Sequence, residues 1–144
     1  MVNDNRTPSG LKPAVQSFIL ADHVYVDSQS GKKVIAGTFN RVALGVSQTA
    51  LVPVYAYLAL TNCRGHVEFH VRLIDLGDGN ILHESARLRF DAQDPLHIYE
   101  LVMELSPLPL PHEGSYALEA CCNGQTIGSV TIGVARRKRP GEQP

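Results

Sequence analysis

The stretch His66-Val67-Glu68-Phe69-His70-Val71-Arg72-Leu73 decides the fold. Polar and apolar residues alternate without a break, and a period of two is the period of a strand. Val67, Phe69, Val71 and Leu73 then line a buried face, and His66, Glu68, His70 and Arg72 the opposite one. A helix would scatter them, because its faces repeat every three to four residues. The strand extends over residues 66–75, and Asp78-Gly79 just beyond it is a hairpin signal.

Working outward, the same reading gives eight strands. Three precede the deciding stretch: residues 15–26, 33–44 and 54–61. The third is apolar on both faces, which predicts a central position. Four follow it: residues 81–90, 96–105, 115–122 and 125–134. Asn123-Gly124, between the last two, is the most favoured two-residue hairpin turn. Helix signals are almost absent. The pattern predicts an all-β fold, a two-layer antiparallel β-sandwich of about eight strands, immunoglobulin-like or jelly-roll-like. Phe39, Phe69, Leu73, Leu88, Phe90, Leu101 and Tyr116 lie on the apolar phase of their strands and are the expected core. Residues 1–14 read as a flexible arm, 15–135 as the sandwich domain, and 136–144 as a flexible basic tail opening on Arg136-Arg137-Lys138-Arg139.

A chain of 144 residues fits one domain. Its formal net charge of −1 draws neither nucleic acid nor an anionic membrane, so no nucleic-acid partner is expected. Cys63, Cys121 and Cys122 are odd in number and two are adjacent, which makes a poor disulfide framework and no zinc pattern. The polar start argues against a signal peptide, and no run approaches the roughly 20 apolar residues of a membrane span. A cytoplasmic location with reduced thiols is the expectation.

Several motifs are shared with known proteins. Ser17-Phe-Ile-Leu-Ala-Asp22-His-Val-Tyr-Val-Asp27, Ser30-Gly-Lys32-Lys-Val-Ile-Ala-Gly37-Thr-Phe39, Glu113-Gly-x-Tyr116, Asn123-Gly124 and Ile127-Gly128 together resemble a bacterial family of small single-domain proteins of unknown function. The resemblance covers roughly residues 15–135. It implies a β-sandwich and carries no activity, substrate or catalytic residue to transfer.

Of the constellations that could carry chemistry, His66, Glu68 and His70 are the sharpest. Positions i, i+2 and i+4 share one strand face, and two imidazoles with a carboxylate suit zinc, iron or manganese. The spacing is against them: successive same-face side chains lie nearly 7 Å apart at a rise of about 3.4 Å per residue. A solvent-facing polar strand face is the better reading. Asp22 shares the phase of Phe18, Leu20 and Val24, so it reads as an inward carboxylate that needs a partner, with Arg41 the natural one. Asp75-Leu-Gly-Asp78-Gly79-Asn80 departs from a calcium loop at its third position and reads as a turn. Cys121-Cys122 puts one thiol inward and one outward with no neighbouring cation to activate either. No cofactor is expected.

No nucleophile–base pair, phosphate loop or complete metal set is present. The expectation is a non-enzymatic binding or scaffold module that holds a protein partner or its own copy. An open sandwich leaves edge strands unpaired. Residues 54–61 and 96–105, apolar on both faces, leave apolar surface once the core is filled. The segment from Pro107 to Pro111 offers a second, preordered surface. The alternative is a jelly-roll metal-binding protein or metal-dependent enzyme acting through His66, Glu68 and His70.

Overall fold

The structure, a computed structural model, describes residues 12–137. Its strands are β1 (Ala14–Val26), β2 (Lys33–Thr38), β3 (Arg41–Leu44), β4 (Ala50–Leu51), β5 (Tyr55–Thr61) and β6 (Gly65–Asp75). Then come β7 (Ile81–Glu84), β8 (Leu88–Ala92), β9 (Tyr99–Glu104), β10 (Leu108–Pro109), β11 (Gly114–Cys122) and β12 (Gln125–Arg136). One sheet has the order β2-β1-β5-β9. The other has the order β3-β12-β11-β6-β7, with β8 also on β6. Strands β4 and β10 form a two-stranded ribbon. Every pairing is antiparallel except β3 with β12.

The sandwich is immunoglobulin-like rather than a jelly roll: β5 and β9 pair in one sheet, and β6, β11 and β12 are neighbours in the other. A tyrosine corner supports this. Tyr116, near the start of β11, donates from its hydroxyl to the His112 carbonyl at 2.6 Å and accepts from the His112 N–H at 3.1 Å. The same bond from a tyrosine back to the chain four residues upstream marks that fold.

The alternation around Phe69 holds. Val67, Phe69, Val71 and Leu73 are all buried against Leu58, Leu60, Leu118 and Ile132. Phe69, Leu73 and Tyr116 are fully buried, whereas Phe39, Leu88, Phe90 and Leu101 pack against the core from its margins and stay partly open.

Two expected strands are broken in the fold. Residues 33–44 divide into β2 and β3, which belong to different sheets. The chain crosses over at Phe39-Asn40, just after Gly37 adopts a positive φ of 77°. Residues 81–90 divide into β7 and β8, both on β6, with a break at Ser85, whose N–H still donates to the Val71 carbonyl at 2.8 Å while its hydroxyl oxygen, in place of a carbonyl, accepts from the Val71 N–H at 2.9 Å. Ala86, in the same phase as Leu88 and Phe90, is exposed in that break.

The ends differ slightly from the reading. Strand β12 runs through Arg136, which the sequence placed in the tail. Its guanidinium holds the carbonyls of Gly45, Gln48 and Pro111, so it closes loops rather than facing a partner. Most of the arm expected over 1–14 and of the tail over 136–144 lies outside the described residues. The proline segment is also not an open surface. Leu108 and Leu110 are fully buried, and β10 pairs with β4.

Candidate interaction face

The outer face of the β2-β1-β5-β9 sheet is built by alternation. On β5, Ala56, Leu58 and Leu60 point into the core and are fully buried. Tyr55, Tyr57 and Ala59 therefore point out. The register sets Ala21 beside Tyr55 and Ile19 beside Tyr57 on β1, and Glu104 and Val102 beside the same tyrosines on β9. Further along β1, His23 and Tyr25 continue the outward phase, opposite Ala36 and Val34 of β2. The His23 ring lies 5.7 Å from that of Tyr55 and 5.8 Å from that of Tyr25. Aromatic rings in that range attract each other beyond their burial. Tyr25 remains 53% exposed and Val34 48%.

One ionic group crosses this face. Glu100 of β9 takes the Lys33 ammonium at 3.0 Å on one oxygen and the Tyr57 hydroxyl on the other. Lys33 and Glu100 sit on opposite edge strands, which a flat four-stranded sheet holds about 14 Å apart at 4.8 Å per strand. The contact therefore requires the β1–β2 hairpin to lean over the face. Bonds from Tyr57 and then Lys33 hold the Glu100 carboxyl below its ordinary range. The same bond, with burial, pushes the Tyr57 phenol up to about 12. Tyr57 is thus a fixed donor and Glu100 a fixed anion. The face presents three tyrosines, a histidine and small apolar residues, with Glu104 as a further carboxylate at its border.

The structure gives each of His66, Glu68 and His70 a side-chain partner. Among the described residues no group of three or more histidine, cysteine, aspartate or glutamate side chains is placed to hold a metal ion. Strand β8 puts a partner opposite each of the first two. His66 faces Asp91 at 3.5 Å, and Glu68 accepts from Arg89 at 2.7 Å. His70 is buried beneath the β7–β8 break. Its Nδ1 meets Arg87 at 2.5 Å and its Nε2 meets Glu84 at 3.2 Å. An arginine can only donate, so Nδ1 accepts and the proton sits on Nε2, aimed at Glu84. Neither ring nitrogen is left for a metal. Burial first, then the Arg87 charge, lowers the His70 pKa and keeps the ring neutral.

The Asp22–Arg41 pair does not form. Both side chains are exposed, in different sheets, and no ion pair among the described residues joins them. The last β1–β5 partners are Ala21 and Tyr55. Beyond them β1 pairs only with β2, and Asp22 is exposed and lies over Gly37. A Cβ on Gly37 would come within 2.6 Å of the Asp22 carboxylate.

The calcium-like segment is a turn, as read: Asp75 accepts from the Gly77 N–H at 2.8 Å, and Asp78 from the Asn80 N–H at 2.9 Å. Asp75 also meets His112, missed in the sequence, at 2.6 Å. The other nitrogen of His112 lies 2.6 Å from the Glu113 carbonyl. Both nitrogens face acceptors, which favours the doubly protonated ring. The Glu113 carbonyl and then Asp75 accordingly raise the His112 pKa. This ion pair braces the tyrosine corner and leaves no free base. All three thiols are buried, and burial raises the pKa of each, that of Cys122 to about 11. None is an activated nucleophile.

Sequence reasoning located the two-faced apolar strands but not the residues that make the face. Tyr55 and Tyr57 at period two, with Tyr25 and His23 in the outward phase of the first strand, were the signal available. The Lys33–Glu100 pair, 67 residues apart, had none.

Among solved structures, two crystal structures of a β-glucosidase from Listeria innocua are similar to part of this chain. The complex with glucose is 10% identical over 83% of this chain and 16% of that one, with a TM-score of 0.47. The complex with isofagomine is 10% identical over the same shares, with a TM-score of 0.45. This chain thus spans about a sixth of the length of either enzyme. No curated protein matches it. No helix among the described residues is long and apolar enough to cross a membrane. The profile of a family of unknown function, DUF6941, matches residues 16–135, and the chain belongs to that family.

Proposed function

We propose that the protein is a non-enzymatic binding module that holds a protein partner on the outer face of its four-stranded sheet. The observation that carries this is the aromatic cluster of His23, Tyr25, Tyr55 and Tyr57, part of it open to solvent on a sheet face with Glu100 and Glu104 at its side. Tyrosine anchors dominate protein interfaces because they bury much area for few lost rotamers. Ring faces and carboxylates both attract cations, and Lys33, the cation on this face, is already neutralised by Glu100. The occupant with the matching chemistry is a segment bearing arginine or lysine among apolar residues.

The chain has five tyrosines and no tryptophan, so tyrosine fluorescence reports on this face without tryptophan interference. A short arginine-containing peptide is the probe, and the same peptide with glutamate in place of arginine is the comparison. A saturable change with the basic peptide, weakened by salt and lost in Tyr55→Ala, is the expected result. Equal response to the acidic peptide, or an undiminished response in Tyr55→Ala, would overturn the reading.

A further inference from the structure

We infer that the outer edge of β9 pairs with the β9 edge of a second copy of this chain, joining two four-stranded sheets into one of eight strands. The contact uses the free backbone edge of β9 and not the rings of His23, Tyr25, Tyr55 and Tyr57, so the Tyr55→Ala test of the binding face and the sedimentation test below can fail separately.

Among the described residues the two larger sheets have four edges, and three carry devices that discourage pairing. Strand β2 begins with Lys33 and is kinked where Gly37 takes a φ of 77°. Strand β3 has only four residues. The last edge is split into β7 and β8 around the Ser85–Arg87 break. Strand β9 has none of these. It runs six residues, Tyr-Glu-Leu-Val-Met-Glu, without proline, glycine or lysine. It pairs with β5 on one side and with no strand among the described residues on the other. Exposed apolar side chains gather along it. Val102 is 37% exposed, and in the approach to the strand Ile98 is 44% and Leu96 87% exposed.

The ladder shows which groups are free. The Leu105 N–H donates to the Val54 carbonyl at 2.8 Å, in line with the β5–β9 register. Backbone direction alternates along a strand, so Tyr99, Leu101 and Met103 also turn their N–H and C=O groups toward β5. Glu100, Val102 and Glu104 therefore turn theirs toward the open edge.

A two-fold axis perpendicular to the sheet pairs β9 with itself antiparallel and keeps each side chain on its own face. Two registers centre the contact on the strand. Centred on Val102, it sets Glu100 directly opposite Glu104 twice, and like charges so placed are destabilising. Centred on Leu101, it sets Glu100 opposite Val102 and Tyr99 opposite Met103, with no carboxylates opposed. Glu100 and Val102 then exchange both backbone hydrogen bonds with the second copy on each side of the axis. The two Val102 side chains become diagonal neighbours. The two Leu101 residues form a pair without hydrogen bonds, whose Cα atoms lie about 4.5 Å apart. A foreign strand could use the same edge, but the self-complementary register favours a second copy.

The test is sedimentation of the full chain at micromolar concentration, with variants that spare the fold. Val102→Pro removes an N–H that the native ladder does not use, so the monomer keeps its β5–β9 bonds. It deletes one intermolecular donor from each copy, and dimerisation should weaken by roughly tenfold or more. Val102→Lys supplies a second disruption through charge and needs no backbone accommodation. Leu101→Cys should cross-link the dimer on mild oxidation, because the expected separation lies at the short end of the disulfide range of about 4.4–6.8 Å. The expected result is a wild-type dimer, monomeric variants at position 102, and a covalent dimer through position 101. A monomeric wild-type chain, a dimer undisturbed by both position-102 variants, or no cross-link at position 101 would overturn the inference.

Discussion

Tyr116→Phe isolates the tyrosine corner from the packing around it. The ring of Tyr116 is fully buried, and phenylalanine fills the same space. Only the hydroxyl is lost, and with it two bonds to His112, one of 2.6 Å and one of 3.1 Å. Each intramolecular hydrogen bond contributes about 0.5–1.5 kcal/mol net. The freed backbone groups of His112 are near the surface, since its side chain is half exposed, so water can reach them and the full penalty for buried orphans does not apply. The loss should therefore be about 1–3 kcal/mol, centred near 2. For a chain of this size that lowers the thermal midpoint by about 4–8 °C. Urea and thermal melts of both proteins measure it, and the urea slope should not change because the same surface is exposed on unfolding. A loss below about 0.5 kcal/mol would show that the hydroxyl does not hold the β10–β11 connection.

Other expectations can be checked on the same material. Phe69→Ala should cost about 3–5 kcal/mol by equilibrium denaturation, since the side chain is fully buried and its cavity cannot drain to solvent. The His112–Asp75 pair sets a pH window: the raised His112 pKa gives stability that is complete below roughly 6.5 and lost as pH climbs through its folded value. The lowered Asp75 pKa gives stability that is complete above roughly 3.9 and lost as pH falls through its folded value. The wild-type midpoint should therefore fall relative to that of His112→Gln as pH rises above about 6.5, and a constant difference would contradict the ion pair. Treatment with a chelator should leave the midpoint unchanged, because Arg87, Glu84, Arg89 and Asp91 already occupy the groups of His66, Glu68 and His70.

What the sequence shows and hides follows from the range of the interactions. Alternation is local, so the strand through Phe69 and the hairpin at Asn123-Gly124 were readable. Asn123 and Gly124 take φ values of 51° and 84°, as that turn needs. The crossing between sheets at Phe39-Asn40 shows in the sequence only as a change of apolar phase, from Ile35 and Phe39 to Val42 and Leu44, and that change does not say which strand is the new partner. The same limit misplaced Asp22. Its phase matches Phe18 and Leu20, but β1 runs past the end of its β5 pairing as a hairpin with β2 alone, and phase does not show that. His66, Glu68 and His70 do share a strand face, but the neighbours on β8 and in the β7–β8 break decide their chemistry. Those neighbours come from residues 84–91, and nothing within β6 announces them.

The central claim is that the tyrosine face, not the histidine strand, is the working surface. Backbone amide shifts in a 15N-labelled sample, followed during titration with the arginine-containing peptide, test it most directly. The account predicts that the largest shifts cluster at His23, Tyr25, Tyr55, Tyr57 and Glu100, all on one face of the β2-β1-β5-β9 sheet. Shifts centred instead on His66, Glu68 and His70, or spread evenly over both sheets, would contradict it.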